Sequence, residues 1–286
     1  MFPRMKKCPY CGKEYPDETT NCVIDGELLS DGSPRLTTAE KQESEIALKK
    51  DEPYLTFPDY KWSALDAWKC VGTFFLFGFI LFGFNRLVFS FSPSFLSSGL
   101  GYFTRSVLHY AVELLVAAYF ARTEAFATFL KGFSLDCKPS DFVWFGVVIA
   151  LIIRFLGHFL ASHGFGPGVY NYELTSFRNT ISVEKYFFLL PLLMLAPVCE
   201  EIVYRGFLYK AFRQSYPVAI SMILIVAWTA NTHWRYYFHS WIAALDLSAL
   251  TIVQCYLREK SASLWDCILC HFAFNASLLF ISAPLR

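Results

Sequence analysis

From Trp62 onward the chain is built of long apolar runs broken by short polar turns, and before Trp62 that pattern is absent. Crossing the hydrocarbon of a bilayer takes roughly 20 apolar residues. Seven runs come close to that length, at about 63–90, 103–121, 141–161, 186–213, 217–235, 239–257 and 264–282. Because lipid offers the backbone no hydrogen-bond partners, such runs must be helices. The pattern therefore predicts an all-α, polytopic transmembrane bundle of about seven spans, eight if one of them is split. Residues 31–60 are polar and read as a linker, which leaves 1–30 as a small head and 61–286 as the membrane body.

Composition sharpens this picture. Of 286 residues 55% are hydrophobic, 30 of them Phe, which is unusual for a soluble protein. Residues 1–60 hold 8 Lys/Arg against 12 Asp/Glu, and the remainder holds 17 against 12. The net charge of +1 argues against a nucleic-acid partner, which would need a concentrated basic patch. The opening MFPRMKKCPYCGKEYPDE has no apolar core of the length a secretory signal needs, which places the head in the cytosol. With the head inside, Arg122, Lys131, Lys138, Lys210, Arg213, Arg258 and Lys260 fall on inner loops, and mainly Arg178, Lys185 and Arg235 on outer ones. That asymmetry agrees with the positive-inside rule. The expected location is a bacterial inner or plasma membrane, with the bilayer itself as a partner. The nine cysteines are scattered, which suits a reducing compartment better than a disulfide framework.

Within the head, Cys8 and Cys11 form a CPxCG turn, and Cys22 opens CVIDG, where Asp25 stands at the last ligand position. Two such knuckles can aim four ligands at one structural zinc, with an aspartate oxygen as the fourth. The head resembles the zinc-ribbon modules that begin many bacterial membrane proteins, and a cytosolic docking role for a partner or substrate is expected of it.

An ionisable side chain inside a span is costly unless it is paired or faces a wet cavity, so each such residue is a functional candidate. His109 and Glu113 stand one turn apart, as do Arg154 and His158, so each pair can satisfy itself; Asp246 stands alone. The stretch CEEIVYRGF is different. Glu200 and Glu201 point about 100° apart on a helix and cannot do the same job. Glu201 lies one turn before Arg205, which predicts an ion pair, whereas one turn after Glu200 comes Tyr204. Pro197 is expected to kink the helix and admit water. The polar turn RQSYP, centred near Tyr216, lies between Glu200, 16 residues before it, and His233, 17 residues after it. In an antiparallel hairpin these offsets put both side chains at one depth. In the last run His271 and Asn275 share a face one turn apart. Glu200, His233, His271 and Asn275 can thus meet inside the bilayer.

A carboxylate beside histidines can activate water as a general base, and His and Asn side chains can donate to a developing oxyanion. Two His and a Glu are also a catalytic zinc set, although the chain has no HExxH and no GxSxG. Two non-enzymatic alternatives stand beside these: a transporter, and a scaffold or immunity protein whose buried polar groups only lock helix packing.

EEIVYR at 200–205, His233 and HFAFN at 271–275 resemble the three ordered motifs EExxxR, aromatic-xxx-His and HxxxN of the CAAX protease and bacteriocin-processing (CPBP, or Abi) family. The likeness runs over roughly 140–282, with its motif core at about 186–282. One departure stands out: Thr229 occupies the aromatic position four residues before His233, and Trp228 precedes it. His239 is the poorer alternative, with Arg235 in that place. The resemblance implies an intramembrane endopeptidase, related to the Ras-converting CAAX proteases, acting on a membrane-associated peptide or protein. It further implies that Glu200 activates the water, that His233 helps to hold it, and that His271 and Asn275 stabilise the oxyanion. Glu201 and Arg205 support the first motif, and no cofactor is implied at the catalytic site.

Overall fold

The structure, a computed structural model, describes residues 5–7, 14–16, 19–21, 62–92, 95, 98–122, 131–166, 184–261 and 263–281. The chain divides into two units, Met1–Pro53 and Tyr54–Arg286. In the first, β1 (Met5–Lys7) and β2 (Glu14–Pro16) pair antiparallel, with Lys6 opposite Tyr15. Tyr15 is buried between exposed Glu14 and Pro16, as a two-residue period dictates. Cys8 and Cys11 belong to the connection between these strands; they, Cys22, Asp25 and the linker lie outside the described residues.

The second unit is helical: α1 (Ala64–Phe91), α2 (Gly99–Ala121), α3 (Phe142–Ser162), α4 (Glu184–Arg213), α5 (Val218–Thr232), α6 (Trp234–His239), α7 (Trp241–Lys260) and α8 (Trp265–Ile281). Each of the seven expected runs holds a helix, and the short α6 is an addition that follows α5. Local chemistry sets several ends. Ser63 and Asp66 cap α1 reciprocally, since Ser63 N–H donates to Asp66 Oδ2 at 2.9 Å and Asp66 N–H to Ser63 Oγ at 3.3 Å. Ser98 and Ser240 accept from Gly101 N–H and Ala243 N–H to start α2 and α7, and α2 stops at Arg122 in the left-handed region, φ 54°.

Among the described residues three segments are long and apolar enough to cross a membrane: Ala64–Leu81, Phe142–Ser162 and Glu184–Arg213; α5 and α8 are shorter apolar helices. Large apolar side chains face outward on these elements, among them Phe79 at 75% and Trp144 at 71% exposure. A belt of that kind is what an integral membrane protein presents to lipid. By contrast, α7 buries Asp246, Gln254 and Arg258, and packs against α3, α5 and α8. A helix shielded in this way can carry polar residues that a lipid-facing helix cannot. Asp246, which stands alone in the sequence, is not alone in the fold. It fills the space that a Cβ at Gly157 would occupy, its Cγ 2.6 Å from that position, and it faces Arg154 electrostatically. Arg154 in turn donates to the Phe274 carbonyl at 3.3 Å and lies 3.8 Å over that ring, joining α3 to α8.

The core centres on the second half of α4, where every residue from Ile202 to Phe212 is buried. This helix is not uniform. Two π-helical segments, Pro191–Leu195 and Ile202–Leu208, bracket an ordinary α-helical stretch, Ala196–Glu201. Ala196 N–H reaches back five residues to the Pro191 carbonyl, and Tyr209 N–H does the same to Tyr204. Around Pro197, where a kink is expected, the helix has two widened turns. Such turns occur mostly as single features near functional sites.

Candidate active site

Glu200 and Glu201 end the α-helical stretch between the two π segments, and the structure sends them to different neighbours. Glu201 is fully buried. Its Oε1 accepts from Arg205 Nη1 at 3.2 Å, Gln254 Nε2 at 2.7 Å and His271 Nδ1 at 2.8 Å. Arg205 also reaches the Thr251 carbonyl at 3.5 Å, and Thr251 Oγ1 donates to Thr229 Oγ1 at 3.3 Å. Four helices, α4, α5, α7 and α8, therefore meet around one carboxylate. The Arg205 pair is the one its i, i+4 spacing predicts.

Glu200, 7% exposed, turns the other way and, among the described residues, accepts one hydrogen bond, from the Tyr110 hydroxyl of α2 at 2.9 Å. One turn along α2, the buried Glu113 faces Glu200 electrostatically and holds His109 Nε2 at 3.4 Å. His109 also interacts electrostatically with both Glu200 and His233, which puts these groups in one neighbourhood. His233 sits in the break between α5 and α6, at φ −107°. Its Nδ1 lies 3.2 Å from the Thr229 carbonyl and 3.0 Å from Thr232 Oγ1, so Nε2 is the ring nitrogen left for other work. The departure at Thr229 has a structural account: Thr229 turns into the core toward Thr251, while Trp228 supplies the aromatic surface, stacked on Phe74 at 5.5 Å. His239 is exposed, with Nδ1 on the Arg235 carbonyl at 2.7 Å.

Asn275 Nδ2 donates to the Leu192 carbonyl at 2.9 Å. That carbonyl loses its ordinary partner because Ala196 N–H goes to Pro191 instead, and the next residue, Pro197, has no N–H to give. Asn275 thus satisfies an acceptor that the π turn creates, and its amide keeps a second hydrogen to donate. Among the described residues no hydrogen bond joins any two of Glu200, His233, His271 and Asn275.

A cavity of about 380 Å³ has walls that include Phe74 and Phe77 of α1, His109 and Glu113 of α2, and Trp228 and Thr232 of α5; it is linked to Glu200 through His109 and Glu113, and none of Glu200, His233, His271 and Asn275 is among its described walls. Aromatic walls with a polar end suit an apolar ligand held against hydrogen-bonding groups. Among the described residues no three His, Cys, Asp or Glu side chains gather as a metal would need. Tyr110, Gln254 and Thr251 are site residues that the sequence did not single out. Gln254 carried a signal, as a lone amide in LTIVQCYL, but Tyr110 in an amphipathic helix carried none.

Residues 182–277 match the family model described as Type II CAAX prenyl endopeptidase Rce1-like, a segment that holds Glu200, Glu201, Arg205, His233, His271 and Asn275 but not Tyr110. No curated protein and no solved structure matches the chain.

Proposed function

We propose that this chain is an intramembrane endopeptidase, similar to the CAAX proteases, in which Glu200 activates a water for attack on a peptide carbonyl. The observation that carries the reading is the unequal treatment of two adjacent carboxylates. Glu201 is wholly buried and holds three donors on one oxygen, while Glu200, 7% exposed, accepts a single hydrogen bond among the described residues. The second oxygen of Glu201 is buried without a hydrogen-bond partner and closed to solvent, whereas a general base needs an oxygen that water can reach.

In the proposed reaction Glu200 takes a proton from water as its oxygen bonds to the carbonyl carbon, with His233 Nε2 steadying that water. Negative charge then develops on the carbonyl oxygen. Asn275 offers its second amide hydrogen to it. With Nδ1–H given to Glu201, His271 can add an Nε2–H donor in its imidazolium form, with Glu201 as counter-charge. The proton on Glu200 passes to the leaving nitrogen, the C–N bond breaks, and a carboxylate and an amine result. Membrane-associated peptides or proteins are the proposed substrates. In the head, Cys8, Cys11, Cys22 and Asp25 would hold a structural zinc, in a docking module outside the chemistry.

A second reading rests on the same histidines. Imidazoles whose Nδ1 faces a carboxylate or a carbonyl present Nε2 as a lone pair when neutral, the form that ligates zinc. Among the described residues no third His, Cys, Asp or Glu converges with them. The deciding experiment compares new protein N-termini in cells carrying wild-type and Glu200→Gln chains, together with cleavage of an internally quenched, farnesylated CAAX peptide by the purified proteins. Cleavage should depend on Glu200; equal cleavage by both chains at equal protein level sinks the proposal.

A further inference from the structure

A general base that acts through one oxygen has to be held by the other. Glu200 has a single hydrogen-bond donor among the described residues, Tyr110, which stands 90 positions away in sequence. Tyr110 also lies outside the segment that carries the three motifs. Resting on the function proposed above, we propose that Tyr110 is a positioning residue for Glu200. Its hydroxyl fixes Oε1, so that Oε2 is the oxygen that takes the water's proton.

The surroundings of Tyr110 make it rigid enough for that task. α2 packs along α4 and is tied to it twice: by Gly99 N–H on Glu184 Oε2 at 3.3 Å and by Tyr110 on Glu200 at 2.9 Å. The first tie is tight, because a Cβ at Gly99 would lie 2.6 Å from the Glu184 carbonyl oxygen. Tyr110 therefore reaches Glu200 from a helix whose start is already seated. Phenol-to-carboxylate bonds are charge-assisted and directional, and a carboxylate with one donor can still rotate when that donor is lost. Glu201, held by three donors, would not respond in the same way to losing one. Displacing a reacting group by about 1 Å can cost roughly 100-fold in rate.

The test uses the full-length protein in detergent and the farnesylated, internally quenched CAAX peptide. Tyr110→Phe keeps the ring and removes only the donor, so it should lower kcat by about 10- to 100-fold with KM nearly unchanged. In a Glu200→Asp background the carboxylate is drawn back out of reach of Tyr110, and adding Tyr110→Phe should cost nothing further. Two independent defects would instead multiply. The bond can also be read without turnover: the carboxylate stretching band that disappears in Glu200→Gln should shift in Tyr110→Phe. An unmoved band overturns the inference, as does a Tyr110→Phe enzyme within about twofold of wild-type kcat while Glu200→Gln is inactive. A multiplicative loss in the Asp background marks Tyr110 as structural only and overturns it too. Full activity of Glu200→Gln is a distinct result, which overturns the general-base reading and the role of Tyr110 with it.

Discussion

The two sides of α4 treat neighbouring carboxylates in opposite ways. Toward α7 and α8, Glu201 is locked into a dry cluster of Arg205, Gln254, Thr251 and His271, with no exposure at all. Toward α2, Glu200 meets the Tyr110 hydroxyl, with Glu113 and His109, which line a cavity, in electrostatic reach and His233 in reach of His109. The first side gives geometry and the second gives access. Three donors crowd one oxygen of Glu201, while its other oxygen and Arg205 Nε are buried without hydrogen-bond partners, so the cluster holds its shape at a cost in unmet polar groups. His271 gives one nitrogen to the locked cluster, and its other nitrogen carries the donor role proposed for it.

Substitutions can break this contrast, and the largest effect should come from the open side. Glu200→Gln is expected to lower peptide cleavage by about 10²–10⁴-fold while the purified protein melts as wild type does. An inactive protein that also unfolds would place Glu200 in the locked cluster instead. Next, His271→Ala should slow cleavage by about 10²–10³-fold, the usual loss for one oxyanion donor. Because His271 also closes the Glu201 cluster, its melting point should drop as well, which Glu200→Gln should not cause. On the locked side alone, Arg205→Ala leaves Glu201 without its counter-charge in a dry interior, a change that typically costs about 3–5 kcal/mol. Thermal unfolding in detergent should show that loss, and an unaltered melting curve with activity lost would move Arg205 into the reacting set. The smallest expected effect is that of chelation. A Cys8→Ser, Cys11→Ser chain, which cannot hold zinc in its head, should keep its activity through exhaustive chelation. Loss of activity with recovery on adding zinc would instead favour the His₂Glu metal reading.

Much of this arrangement was legible in the sequence, and the part that was not has a physical explanation. Helix positions followed from apolar runs, because lipid leaves the backbone no other choice. The divergence of Glu200 and Glu201, and the Arg205 pair, followed from 3.6-residue geometry alone. What periodicity cannot supply is a partner from a distant helix: nothing in the run around Tyr110 distinguishes it from other amphipathic aromatics. Asp246 appeared solitary for the same reason, since Arg154 and Gly157 reach it across more than eighty residues of chain. The form of the break in α4 was also hidden. Pro197 announced a disruption, but the pairing of two π turns around six α-helical residues depends on which carbonyls find other donors, and one of those donors is Asn275, near the far end of the chain.

Those widened turns bear on how the lengths of related chains can vary. A ring closed over five residues holds one more residue than a ring closed over four. A chain one residue shorter within Ile202–Leu208 could therefore close the ordinary ladder and leave both flanks where they stand. The same loss within Ala196–Glu201 has no slack to draw on, and would carry a carboxylate away from its partners. Loss of one residue should accordingly be tolerated in the widened turns where the Glu201–Arg205 spacing is kept, and excluded between Ala196 and Glu201, a rule about residue number rather than residue type.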